Sequence, residues 1–256
     1  MNRIDKLFQN KKQNVLAVYC TAGYPKPDDT INILSHLQEY GADIAEIGIP
    51  YSDPVADGEV IQQSNTIALK NGMTIKKLFI QLKDFRKRFH LPLILMGYLN
   101  PVMQYGIESF CRDAANAGVD GIILPDLPPN EFEKHFRKYF DQNGLHFILL
   151  ITPETSEERI RYIDGLSKGF IYAVSSSSTT GSEVKKELNK KYLSRLKEMH
   201  LKNPIMIGFG ISDNESFKQA CKYANGAIIG SAFIRALAAS DDAGTATEAF
   251  LNKILK

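Results

Sequence analysis

The chain has few cysteines, no long apolar run and almost no net charge, and each shortage removes a class of protein. Its three cysteines, Cys20, Cys111 and Cys221, stand far apart without a Cys-x-x-Cys pair. An odd, scattered set of this kind reads as reduced thiols in a cytosolic protein rather than a disulfide framework. The 31 basic and 29 acidic residues nearly cancel, and no basic face is concentrated. Nucleic acid and anionic membrane are therefore not expected as main partners, although backbone amides can still bind a phosphorylated small molecule. Residues 1–13 lack the apolar core of a signal peptide, and the apolar stretch 227–239 is interrupted by Arg235 and too short for a membrane span. A soluble, cytoplasmic chain is expected.

Several chemistries are missing as well. The histidines (His36, His90, His135, His146, His200) show no i,i+4 pairing and no companion ligand at metal spacing, so no metal site is expected. A Schiff-base mechanism needs a lysine along a strand or at its C-terminal end, and Lys168 falls where a strand begins. There is no Gly-x-Ser-x-Gly elbow, and the run Ser175-Ser176-Ser177-Ser178 has no partnering histidine.

What is present is a repeated alternation. Apolar runs at 15–21, 43–49, 91–98, 119–124, 145–151, 169–174, 204–208 and 226–230 are separated by amphipathic stretches. The helical candidates lie at 30–40, 60–69 with 75–89, 107–117, 131–142, 157–166, 192–200, 214–223 and 246–255. Pro27-Asp28, Thr155-Ser156 and Ser212-Asp213 read as helix starts, and Gly41, Gly118 and Gly144 as helix ends. Eight strands each followed by a helix, in this length, give a single (β/α)8 TIM barrel, with an additional N-terminal helix and a short helix after the eighth strand. A doubly wound open sheet explains eight even units less well and lacks its Gly-x-Gly-x-x-Gly. No linker divides the chain, so residues 1–256 read as one domain.

In such a barrel the active site lies at the C-terminal ends of the strands. The second strand carries Glu46 within the apolar run Ile44-Ala45-Glu46-Ile47-Gly48-Ile49, followed by a loop with Asp53 and Asp57. Alternation puts Glu46 on one face with Ile44 and Gly48. A carboxylate there raises its pKa or finds a donor, which makes Glu46 a proton-donor candidate. Asp53 and Asp57 also suit ordinary turns. Tyr98 and Asn100 follow the third strand, where loop bracing also accounts for them, and Asp126 follows the fourth; Tyr172 lies on the sixth, where an aromatic more often packs than reacts. Thr180-Gly181, Gly208-Phe209-Gly210 and Gly230-Ser231 end the sixth, seventh and eighth strands. Singly these glycines suit tight turns; together, with a helix starting at Ser231, they form a phosphate-site candidate. Acid–base catalysis by carboxylates on a phosphorylated substrate is the chemistry left.

The stretch from Glu46 to Gly58 closely resembles the signature of the tryptophan synthase alpha chain family. The resemblance continues through Thr21-Ala22-Gly23-Tyr24-Pro25, Met96-Gly97-Tyr98-Leu99-Asn100-Pro101, Pro125-Asp126-Leu127-Pro128, Thr180-Gly181, Gly208-Phe209-Gly210-Ile211-Ser212 and Gly230-Ser231. It runs end to end, and the absence of tryptophan agrees with it. It implies a lyase that cleaves indole-3-glycerol phosphate to indole and glyceraldehyde 3-phosphate by a retro-aldol step in L-tryptophan biosynthesis. It further implies Glu46 as the acid that protonates indole C3, and Asp57 as the charge partner of the indole N–H. Tyr19, Tyr98, Tyr172 and Phe209 would contact substrate, and Thr180, Gly181, Gly210, Gly230 and Ser231 would hold the phosphate. Asp53, Asn100 and Asp126 would serve loop closure and coupling to a partner. That partner would be a beta chain in an alpha2-beta2 tetramer, carrying the pyridoxal phosphate, with no cofactor in this chain. Ala45, Tyr19, Glu59 and the Ser175–Ser178 run depart from the commonest pattern without removing a catalytic group.

Two rivals stand beside this reading. One is a phosphate-binding barrel acting on a phosphorylated anthranilate derivative, which calls for a Lys or Cys acid at strand ends. The other is a feeble enzyme whose task is to activate a partner.

Overall fold

The computed structural model describes residues 1–174, 183–208 and 210–256, with the side chains of 183–189 outside the description. Its strands are β1 (Val15–Thr21), β2 (Ile44–Gly48), β3 (Leu93–Met96), β4 (Gly121–Ile123), β5 (His146–Phe147), β6 (Leu149–Ile151), β7 (Ile171–Val174), β8 (Ile205–Gly208) and β9 (Gly226–Ile229). All pair in parallel in the order β5-β4-β3-β2-β1-β9-β8-β7-β6. The fifth apolar run thus contributes two short strands on either side of Ile148. Its first half pairs with β4 and its second with β7, so the break turns the run from one neighbour to the next as the barrel closes.

Strand alternation sorts the apolar residues into two cores. Val15, Ala17, Ile44, Ile94, Ile123, Ile148, Phe170, Met206 and Ile228 fill the barrel interior. Their neighbours Leu16, Val18, Ala45, Ile47, Leu95 and Ile122 face the helices outside. Glu46 stands between Ile44 and Gly48 on β2 and is 1 % exposed, so it points into the barrel.

The helix Arg3–Asn10 closes the N-terminal end. Ile4 and Phe8 are buried with the interior core, and the Phe8 ring lies 6.2 Å from that of Phe170. Asn2 caps this helix through a bond from Ile4 N at 2.9 Å, and its amide donates to the Asp120 carbonyl at 2.8 Å. Arg3 meets Asp120 at 3.0 Å, and the Leu93 N–H donates to the same carboxylate at 2.9 Å. With that end sealed, ligand access is left to the C-terminal ends of the strands.

Helix boundaries follow local chemistry. Ser156 accepts from Arg159 N at 3.3 Å, and Asp213 forms a capping box with Ser216. Gly41, Gly118 and Gly144 adopt φ of 96°, 85° and 66° where helices end. Asp28 differs from expectation: its ψ of 1° is not the extended conformation of a cap, and it makes no capping bond. The stretch 75–89 is divided into Ile75–Leu82 and Phe85–Arg88, and the helix expected at 192–200 runs from Glu183 to Glu198. An unexpected helix, Leu99–Tyr105, begins where both Asp126 carboxylate oxygens accept from Leu99 N at 3.0 Å. A cap supplied by another loop leaves no trace in the local sequence.

Candidate active site

A cavity of about 350 Å³ opens at the C-terminal ends of the strands, within the range of small-molecule sites. Glu46, Asp57, Tyr19, Tyr172, Gly210, Gly230 and Ser231 all line it. Residues expected from five separate stretches of sequence therefore come together. Phe209, Thr180, Gly181 and Ser175–Ser178 lie outside the described residues.

Two glycines make room for the tyrosines. In register, Tyr19 lies beside Glu46, and Tyr172 is on β7 next to β8. A Cβ on Gly48 would collide with the Tyr19 hydroxyl, and one on Gly208 with the Tyr172 ring. Both rings therefore fold across the barrel mouth over bare backbone, beside the Glu46 carboxyl. Burial drives both phenols well above their ordinary pKa, with nearby carboxylates adding to it, so they stay neutral.

Glu46 is the chemically distinctive group. Burial first, and the charge of Asp57 second, push its carboxyl up to about 8. It therefore holds its proton at neutral pH. Its Oε2 has no hydrogen-bond partner among the described residues, so the group is not committed to a structural bond.

Asp57 is treated differently. Burial raises its pKa, while bonds from the Tyr98 hydroxyl and the Asn65 amide pull it back. Asn65 Nδ2 donates to Asp57 Oδ2 at 3.3 Å, and Gln62 donates to the Asp57 carbonyl at 2.8 Å. Tyr98 itself accepts from Ala56 N at 3.0 Å, so it braces the loop behind Asp57. One acid is held protonated and its neighbour has donors that favour the charge, a division suited to acid–base work.

Opposite this pair the backbone is arranged for an anion. Gly210 has φ of 76°. Gly230 precedes the helix Ser231–Ala238, whose first-turn N–H groups lack intrahelical partners. Arg235, one turn later, lines the same cavity, as does Ser212.

Asp53, Asn100 and Asp126 stand away from the cavity. Asp53 is exposed and accepts from Ser52 at 2.5 Å. Asn100 donates to the Tyr51 hydroxyl at 3.1 Å, and the Tyr51 ring lies 5.4 Å from that of Tyr98. With Asp126 capping at Leu99, these contacts tie together the loops after β2, β3 and β4. The nearby Val55 side chain is 84 % exposed.

Sequence reasoning passed over Asn65, Arg235 and Met96. Asn65 carried a signal: it falls on the stripe of Ile61 and Ala68, a polar residue on the buried side of the helix Glu59–Lys70. Arg235 was visible only as the charge interrupting an apolar run. Met96 looks like any apolar strand residue. Lys168 pairs with Asp141 at 2.5 Å, and among the described residues no three His, Cys, Asp or Glu side chains gather as a metal-holding group.

A closed parallel barrel with a protonated carboxyl, a second acid and a helix N-terminus around one cavity belongs to the (β/α)8-barrel enzymes. The model of the tryptophan synthase alpha chain family matches residues 6–254, and the chain belongs to that family. It is 48% identical over 243 residues to the tryptophan synthase alpha chain of Bacteroides thetaiotaomicron, covering 94% of this chain and 95% of the relative. It is 52% identical over 236 residues to that of Christiangramia forsetii, with 92% of each covered. Among solved structures, the tryptophan synthase subunit alpha from Legionella pneumophila superposes with a TM-score of 0.88 at 37% identity, covering 99% and 97% of the two chains. A tryptophan synthase complex from Pyrococcus furiosus gives 0.87 at 35% identity, covering 96% of this chain and 99% of that one. Family membership makes the chain a lyase of tryptophan biosynthesis that cleaves indole-3-glycerol phosphate to indole and glyceraldehyde 3-phosphate.

Proposed function

We propose that Glu46 and Asp57 divide the alpha reaction between them. The observation that carries this is a buried carboxyl with a free oxygen, its pKa raised to about 8, in the cavity that Asp57 also lines. The Glu46 carboxyl delivers its proton to indole C3. The ring nitrogen then carries the positive charge, and the Asp57 carboxylate accepts a hydrogen bond from the N–H and stabilises that charge. The Glu46 carboxylate next takes the proton of the substrate hydroxyl adjacent to the scissile bond. The oxygen forms the carbonyl of glyceraldehyde 3-phosphate, the carbon–carbon bond breaks, and its electron pair restores the aromatic ring. Glu46 ends protonated, ready for another cycle.

Tyr19 and Tyr172 flank the substrate and Phe209 completes the contacts, while Tyr98, outside the cavity lining, acts through Asp57. The phosphate lies on the N–H groups of Thr180, Gly181, Gly210, Gly230 and Ser231, an arrangement supported by the open first turn of the helix Ser231–Ala238. The described residues among these lie on the strands of one sheet or directly after them, which supports reading residues 1–256 as one domain. The decisive test is Glu46→Gln, assayed for free indole from indole-3-glycerol phosphate. General acid–base catalysis contributes about 10²–10⁴-fold, and a variant that keeps most of its activity overturns the assignment.

The partner belongs to the same proposal. The braced surface formed by Asp53, Asn100, Asp126 and the exposed Val55 meets a beta chain in an alpha2-beta2 tetramer, and that chain carries the pyridoxal phosphate. Turnover of this chain alone and with the beta chain, together with the mass of the mixture by light scattering, tests the association and its stoichiometry. The reduced, buried thiols of Cys20 and Cys111 support a cytoplasmic setting. No helix among the described residues is long and apolar enough to cross a membrane.

A further inference from the structure

We propose that Asn65 is a positioning residue for the lyase reaction, its amide holding the Asp57 carboxylate in the orientation and charged state in which it meets the indole nitrogen. This rests on the role given to Asp57 above.

Asn65 is 2 % exposed on the buried face of the helix Glu59–Lys70, with Ile61, Ser64 and Ala68. Unlike Ser64, whose hydroxyl meets Thr21 and the Ile61 carbonyl, it is not fully bonded. An apolar side chain would suit that face better, because burying an amide is costly unless both of its ends are bonded. Only one end is. Nδ2 donates to Asp57 Oδ2 at 3.3 Å, whereas Oδ1 is buried without a partner among the described residues. A side chain chosen for stability would not leave a carbonyl stranded in this way. The stranded oxygen is tolerated for what the other end reaches, and that is the acid in the cavity.

The surroundings of Asp57 explain why it needs this donor. Glu46 faces it from β2, Tyr19 from β1, Tyr172 from β7 and Tyr98 from the segment after β3, while Glu59 and Arg235 share the cavity lining. Every closely coupled neighbour is thus an acid or a phenol. Burial favours the protonated form of Asp57, and the Asn65 and Tyr98 bonds oppose it. Losing the amide lets Asp57 take up a proton at higher pH. A neutral Asp57 no longer stabilises a cation, and its weaker charge also relaxes the repulsion that keeps Glu46 protonated.

The test uses the full chain with Asn65→Leu, which keeps approximate volume and removes both amide ends, and with the isosteric Asn65→Asp. For Asn65→Leu, kcat for indole release falls by on the order of 10- to 100-fold, the size of one hydrogen bond to a charged group. The acid limb of its kcat profile moves to higher pH, while the urea midpoint holds or rises because the stranded carbonyl is gone. For Asn65→Asp, two carboxylates share the site and the acid limb moves further in the same direction. An unmoved acid limb in both variants overturns the proposal, whether or not stability falls. Asp57→Asn, assayed alongside, separates the two readings. Full activity there removes the role of Asp57, whereas inactivity beside an unaffected Asn65→Leu removes only that of Asn65.

Discussion

Replacing Glu46 by glutamine changes one atom and removes a titration, so it isolates the electrostatic cost of the catalytic acid. The folded protein holds the Glu46 proton up to about pH 8, whereas the ordinary value is 4.5. Between these limits the folded state binds one more proton than the unfolded chain, and stability falls as pH rises. The stabilising contribution of the protonated carboxyl is complete below pH 4.5 and is lost as pH climbs through the folded value of about 8. Each pH unit in this window removes about 1.4 kcal/mol. The cost relative to an unperturbed carboxyl reaches about 3 kcal/mol at pH 7 and about 5 kcal/mol beyond pH 8. Glutamine does not titrate, and every other group is common to both proteins. The assay is urea denaturation of wild type and Glu46→Gln at half-unit steps from pH 4.5 to 9. The variant gains on the wild type by the amounts above as pH rises, whatever constant offset its amide introduces. Parallel curves would refute the reasoning, since they would mean that Glu46 ionises normally in the barrel.

Other perturbations test the rest of the site. Asp57→Asn removes the charge that, after burial, does most to raise the Glu46 pKa; indole formation falls steeply and the alkaline limb of any residual activity moves to lower pH, read from a pH–rate profile. Gly48→Ala places a methyl group against the Tyr19 hydroxyl, so the tyrosine is displaced and kcat/KM for indole-3-glycerol phosphate drops. An unchanged kcat/KM would show that Tyr19 does not shape the pocket. Arg235→Gln raises KM several-fold at low salt with kcat nearly unchanged, because Arg235 lines the anion end of the cavity from an exposed position. Ile4→Ala opens a hole in the plug beneath the barrel and costs about 2–5 kcal/mol in denaturation, with KM unaffected.

The alternation of apolar runs and amphipathic helices was enough for the barrel, because period-2 and period-3.6 patterns are written locally. Glycine helix ends such as Gly118 were equally legible, since a positive φ is a demand of one residue. Elements fixed by distant groups were not. The helix Leu99–Tyr105 starts on a carboxylate from the loop after β4, and the fifth strand breaks at Ile148 because its halves pair with different neighbours.

The same division runs through the site. Glu46 was conspicuous in sequence because a carboxylate in an apolar strand has a physical cost that can be seen without coordinates. Alternation along β2 grouped it with Ile44 and Gly48, but that this face points into the barrel was decided only by the fold. Its proton affinity did not, since that depends on complete burial and on the approach of Asp57 from another loop. Asn65 shows the limit most clearly: its spacing from Ile61 and Ala68 marks it as a polar residue on the buried side of its helix, and only the folded chain reveals the acid it serves. Sequence by itself determined the units and the reactive residue types, because pattern and propensity act between near neighbours. The tertiary structure decided pairing, burial and pKa, because electrostatics and packing act through space between residues that the chain separates.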